Sequence, residues 1–336
     1  MKKTILALTI PALFATSASA VTVYSDEGAQ VDLYGRIQYD AGSFDHEGAK
    51  REKFGGDGSA RLGTNVKYNL NQDVALIGKL EWQAAAESSD GSKLDSRYAW
   101  AGFRFMDTTD LTFGKSENPY VQLSDITDIF DLFGAAAYSH GFRIDDQVRV
   151  SYADQGIDLR AAYAFNDENK TRQDLAADEE RAQNQYSLSA GYTFPFNLGL
   201  VAAYEKQSVK TGANAGLDAD FDMWGLGANY SIDGFYFGTV YGQKQQDVTG
   251  AADEKTRYWE LVAAYNVDAW TLKAGYNYEK ERGTGDNEKL VNEYVLGAAY
   301  ALTPKAKLYA EYNIQRAKDG DERKDDLYGV GIQYNF

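Results

Sequence analysis

The sequence predicts an all-β fold: a 16-stranded antiparallel transmembrane β-barrel with its third external loop folded inward. Three observations predict the barrel. Apolar and polar residues alternate with period two along nearly the whole chain, and the connections between the patterned segments alternate between short and long. The chain also ends on a strand, Gly-Val-Gly-Ile-Gln-Tyr-Asn-Phe, in which Val330, Ile332, Tyr334 and Phe336 share one face.

The first element is not a strand. Lys2 and Lys3, the apolar stretch Ile5 to Phe14 and the small residues Ala18-Ser19-Ala20 read as an export signal, residues 1–20, cleaved to leave a barrel of residues 21–336. No later run approaches the ~20 consecutive apolar residues that a spanning helix needs, so a membrane-embedded mature chain must cross as strands.

The strands follow in order. Their expected centres are Tyr34, Gly63, Gly78, Trp100, Thr112, Val150, Arg160, Ala190, Ala202, Leu226, Gly238, Val262, Ala274, Leu296, Ala310 and Gly331. In the eighth, Tyr186, Leu188, Ala190, Tyr192 and Phe194 share the outer face, against Ser187, Ser189, Gly191 and Thr193. Short turns are expected at Asn71 to Asp73, Met106 to Thr109, Asp154 to Gly156, Pro195 to Asn197, Asp233 to Gly234, Asp268 to Ala269 and Thr303 to Lys305. Long polar loops lie between them, the layout of a barrel with short periplasmic turns and long external loops. Such a sheet must close, because an open edge would leave backbone donors and acceptors unpaired in hydrocarbon.

Composition agrees. The chain has only 4 prolines, which suits long uninterrupted strands, and its 25 tyrosines suit aromatic girdles at the two interfaces. Cysteine is absent, which excludes disulfides and thiolate metal sites. The net charge of −16 argues against nucleic acid as a partner. The expected surroundings are outer-membrane lipid and lipopolysaccharide, and no cofactor or metal is expected.

A barrel this wide leaves a water channel that side chains cannot fill, so function rests on what narrows it. The candidate is the long loop 116–142. Tyr120, Val121, Leu123, Ile126, Ile129, Phe130, Leu132 and Phe133 give it an apolar side for the inner wall, with Asp125, Asp128 and Asp131 expected to face water. Parity turns Arg36, Arg61, Arg97 and Arg149 inward, with Lys79 and Arg160. A charge on the lipid face near the midplane would cost about 2–4 kcal/mol, so these residues are expected to line the pore. Facing rows of opposite charge would order water across the gap and favour small hydrophilic solutes and ions. The alternative is local pairing of each arginine with an inward acid such as Asp32, Glu81 or Asp158.

The segments "VYSDEGAQVDLYGR" from Val23, "ARLG" around Arg61, "SRYAWAGF" from Ser96, "LTFGK" ending at Lys115 and the terminal "GVGIQYNF" resemble, in order and spacing, the trimeric general diffusion porins of Gram-negative outer membranes. The resemblance implies a homotrimer of sixteen-stranded barrels, with the third external loop forming a constriction opposite an arginine cluster. By motif position Arg61 and Arg97 match two members of that cluster and Arg36 the basic residue of the first strand; either Arg143 or Arg149 matches a further one. "TDIFDLFGA" from Thr127 matches the acidic stretch of the loop, but Leu132 stands where the family commonly has glutamate, leaving Asp131 as the nearby acid. Asp95 stands where some relatives have lysine.

Other readings carry less. His46 and His140 are the 2 histidines, and the nearness of Ser139 and Asp145 to His140 in a loop does not build a catalytic triad, so no enzyme is expected. The acidic runs Asp218 to Asp222 and Asp319 to Glu322 lack calcium-loop spacing. Gly225 and Gly227 sit inside a strand, which removes a nucleotide-binding reading. Within transport, a sugar-type selective porin would require a ladder of aromatic residues along the pore; an adhesin or phage receptor would work through the loops.

Overall fold

The computed structural model describes residues 20–43, 54–85, 94–134, 141–165, 181–211, 217–250, 253–282, 289–319 and 322–336. The expected export segment up to residue 19, His46 and His140 lie outside the described residues.

The first half of the chain contributes β1 (Val21–Asp26), β2 (Ala29–Ser43), β3 (Gly55–Asn69), β4 (Val74–Ala85), β5 (Leu94–Phe105), β6 (Thr109–Glu117), β7 (Arg143–Asp154) and β8 (Ile157–Ala164), with one helical turn, α1 (Val121–Ser124), after β6. The second half adds β9 (Arg181–Thr193), β10 (Leu198–Thr211), β11 (Leu217–Ile232), β12 (Phe235–Val248), β13 (Glu254–Val267), β14 (Trp270–Arg282), β15 (Lys289–Thr303) and β16 (Ala306–Gln315). A two-residue hairpin, β17 (Lys318–Asp319) and β18 (Glu322–Arg323), precedes β19 (Leu327–Asn335). Strands β2 to β16 and β19 pair antiparallel, each with its neighbours, and close a barrel of 16. Every expected strand centre falls inside one of these strands.

Closure uses both ends of the chain. β19 pairs with Arg36 to Ser43 of β2, while β1 pairs with Ala29 to Leu33 of the same strand. Phe336 sits between them and exchanges two backbone hydrogen bonds of 3.0 Å with Gly35. Its ring lies over Gly35, where any Cβ would collide with it. β1 turns into β2 through Glu27 and Gly28, at φ of 44° and 87°. Two successive left-handed residues match the right-handed strand twist and suit a tight hairpin. Gln155-Gly156 and Asp233-Gly234 make the same kind of turn between barrel strands.

Period two decides the faces. Leu62, Leu188, Leu226, Leu272, Leu296 and Val330 stand exposed on the outer wall, while Gln147, Ser187, Asn229, Asn277 and Gln333 are buried on the inner one. An exposed apolar wall of this extent is stable only against lipid. Cross-strand aromatic pairs mark its borders: Phe235 with Tyr265 at 4.3 Å and Trp270 with Tyr300 at 4.8 Å near the short turns, Tyr276 with Tyr294 at 4.9 Å toward the other end. Each such pair contributes about 0.2–1 kcal/mol. No helix among the described residues is long and apolar enough to cross a membrane.

The hydrophobic core lies inside the barrel rather than between two layers. Val201, Ala203, Met223, Val240, Val262 and Val295 break the polar-inside rule, and all of them pack against residues 120–133 of the loop between β6 and β7.

Candidate functional site

The loop is held by shape first. Tyr120, Leu123 and Ile126 are fully buried against β10 to β13, and Ile129 and Phe133 continue the contact across β12, β13 and β15. Glycines in the wall make the room: a Cβ at Gly225 or Gly227 would strike Leu123 or Ile126, and one at Gly275 would strike Phe130. Loss of a buried Leu or Ile side chain here would cost about 2–5 kcal/mol.

Three wall carboxylates then fix the loop's polar groups. Glu205 accepts from Asn118 Nδ2, and Glu260 from Thr127 Oγ1. Glu311 accepts the backbone N–H groups of Asp131 at 2.7 Å, Leu132 at 2.8 Å and Phe133 at 3.3 Å. Tyr236 Oη donates to the Ile126 carbonyl at 2.7 Å. A buried carboxylate that receives several N–H donors recovers much of the hydration it has lost.

The three loop acids separate into two kinds. Asp125 and Asp128 present exposed surface to the lumen. Enclosure by the barrel, then the charge of Glu117, raises the Asp125 carboxyl to about 7. Enclosure and then Asp131 raise Asp128 to about 6. The expectation that Asp131 also faces water is corrected: Lys273 Nζ donates to it at 2.6 Å, Lys307 Nζ contacts its other oxygen, and its side chain is 9% exposed. Burial opposes its charged form, but the two lysines outweigh burial and hold its carboxyl below the usual range. Neither lysine was assigned to the site by sequence reasoning, because no parity argument reaches from a strand to a loop.

The facing wall carries the basic residues. Arg36 is opposite Arg61 in register, and Arg61 is opposite Gln83. Arg61 Nε donates to Gln83 Oε1 at 2.6 Å, and Arg97 Nη1 donates to the same oxygen at 3.2 Å. Arg97 Nε donates to Glu81 at 2.5 Å, and Tyr34 Oη donates to the other oxygen of Glu81 at 2.8 Å. Arg97 therefore pairs locally, whereas Arg36, Arg61, Lys79 and Arg143 form no ion pair among the described residues. Lys79 Nζ instead lies 4.0 Å from the centre of the Tyr98 ring and 5.6 Å from that of Tyr34, and Arg143 covers Tyr98 at 5.0 Å. Such contacts contribute about 0.5–2 kcal/mol and leave the charge uncancelled.

The structure separates the two candidates for the further arginine. Arg143 lies close enough to Arg97 and Arg61 for their charges to act on one another. Arg149, further along the same strand β7, interacts with Arg160, Glu117 and Asp158 instead. Across the lumen, the charge that Asp128 meets on the basic wall is that of Arg143.

A family model described as Gram-negative porin matches residues 7–320. Outer membrane porin F of Escherichia coli is 26% identical and outer membrane porin PhoE of the same species 24% identical, each over 100% of both chains. Outer membrane porin F of Xenorhabdus nematophila is 25% identical over the same extent. Among solved structures, Salmonella typhi OmpF in complex with daunomycin superposes with a TM-score of 0.80 at 20% identity, covering 94% of this chain and 100% of that one. In-vitro folded OmpT of Vibrio cholerae, in its trimer form, gives 0.73 at 20% identity, covering 92% and 100%.

Proposed function

This chain belongs to the Gram-negative porin family and forms an outer-membrane channel for passive diffusion of small hydrophilic solutes, and from that premise we propose that its constriction is the gap between Arg36, Arg61, Arg97 and Arg143 on one side and Asp125 and Asp128 on the other. The observation that carries this reading is the anchoring of the loop along β10 to β16, which leaves β2 to β7 as the free wall of the bore. Arg149 then serves the wall beside the constriction, and Asp131 serves the anchor.

A solute entering such a gap meets a field between unlike charges. Ordered water favours polar solutes, because an apolar one must break that order without replacing it. A sugar-type aromatic ladder finds no support among the described residues: Tyr120, Tyr236 and Tyr258 are buried beneath the loop, and Tyr34, Tyr98 and Tyr309 donate their hydroxyls to Glu81, Glu117 and Asp40. The relatives are named as porins, which supports a channel without catalysis. Assembly as a homotrimer in lipid and lipopolysaccharide is supported by the trimer form described for Vibrio cholerae OmpT and by the apolar outer wall. Cleavage after Ala20 would free Val21, the first residue of β1, to follow Phe336 along β2.

Purified protein inserted into a planar bilayer tests the reading. It should carry ohmic current and close in three equal steps. A reconstituted barrel that passes no current would overturn it.

A further inference from the structure

We propose that the constriction is permselective for anions, so that chloride, small carboxylates and phosphorylated solutes cross in preference to cations of similar size. The inference rests on the channel reading above and names its solute class.

Arg36, Arg61, Lys79 and Arg143 converge on the wall of β2 to β7 and have no ion-pair partner among the described residues. Glu81 is paired with Arg97, and Glu117, which accepts a hydrogen bond from Tyr98 and stays charged, has Arg149 as its main opposing charge. On the loop, Leu132 brings no charge and turns its backbone N–H to Glu311, and Asp131 is neutralised by Lys273 and Lys307 behind the loop. On the loop itself that leaves only Asp125 and Asp128 to face Arg36, Arg61, Lys79 and Arg143. The enclosure that raises both carboxyls toward neutral pH weakens the acidic side further.

Uncancelled positive charge in a narrow aqueous gap must be balanced by mobile ions, and the ions it concentrates are anions. Guanidinium groups add geometry to charge, since their paired N–H donors match carboxylate and phosphate oxygens. The overall charge of −16 does not decide the matter. Exposed acids at the loops act through bulk water and are screened within about 8 Å at physiological salt, whereas the constriction charges stand directly on the solute path.

The test is the zero-current potential across a planar bilayer holding the whole protein in a potassium chloride gradient around 0.15 M. The expected sign is that of chloride permeating several-fold better than potassium. Arg61→Gln combined with Lys79→Gln should bring the potential close to zero or reverse it. Normal conductance with a potassium-selective sign, or a variant with the unchanged wild-type potential, overturns the anion inference and spares the channel reading. Absence of conductance in the wild-type protein overturns both.

Discussion

Tyr34 reaches across Gly63 to donate its hydroxyl to Glu81 at 2.8 Å, and this contact sets the position of the acid that Arg97 grips from the other side. The three residues lie in register on neighbouring strands, Tyr34 opposite Gly63 and Gly63 opposite Glu81. A Cβ at Gly63 would collide with the Tyr34 ring. Gly63→Ala should therefore push Tyr34 toward the bore and reduce single-channel conductance, and adding Tyr34→Ala should restore it. A Gly63→Ala channel of wild-type conductance would show that the ring has another way out. Glu81→Gln removes a charge-assisted bond of about 1.5–3 kcal/mol and releases Arg97, so anion preference should rise.

Replacing Arg61 and Arg97 together by Ser removes two charges from the free wall. The conductance should change and the selectivity should move toward cations, because Glu81 and Gln83 then lose their arginine partners and Glu81 is left without its ion pair. Ion selectivity measured by reversal potential checks this, and an unchanged value would deprive these arginines of their role.

The barrel itself was legible in the sequence because period two carries its own physical cause: lipid on one face, water on the other. Parity placed Arg36, Arg61 and Arg97 inward; in the structure Arg36 stands opposite Arg61 in register, and Arg61 and Arg97 donate to Gln83 and Glu81. The fate of Asp131 was not legible. Its partners Lys273 and Lys307 are 142 and 176 residues away, and parity lapses in a loop. Gly225 and Gly227 looked like ordinary strand glycines, yet their value lies in the room they leave for Leu123 and Ile126. A signal for the seated loop did exist: Val201, Met223, Val240 and Val262 are apolar on the inward parity, which makes sense only where something dry covers them.

Glu311 gathers three backbone N–H groups and Lys273, so it is the point at which the loop is most firmly fixed. Glu311→Gln keeps the size but forfeits the charge, leaving Lys273 with Asp131 alone. Breaking one partner from a buried ionic cluster costs about 3–5 kcal/mol, which here falls on loop seating rather than on the sixteen-strand ladder. The expected result is noisier open-channel current and faster proteolysis within residues 118–134, with the heat stability of the barrel in detergent nearly unchanged. A quiet, protease-resistant variant would place the anchor elsewhere, in Glu205 and Glu260.

Acidity should tune the constriction through Asp125 and Asp128. Facing Asp125 are Glu117 from β6, Asp158 and Arg160 from β8 and Asp128 from the loop; facing Asp128 are Asp131, Lys273 from β14, Glu311 from β16 and Arg143 from β7. The folded values of about 7 and about 6 stand above the ordinary 3.8. For a carboxyl raised on folding, the stabilising contribution is complete below the ordinary value and is lost as pH climbs through the folded one. Loop seating should therefore weaken between about pH 4 and 7 as these groups ionise, while Asp131, shifted the other way, stays charged throughout. In conductance, both acids become negative over the same window, so anion preference should fall as pH rises from about 5 to 8. The double variant Asp125→Asn, Asp128→Asn isolates their contribution. It should hold anion preference nearly constant with pH; a pH dependence of full size in that variant would place the effect outside these two acids.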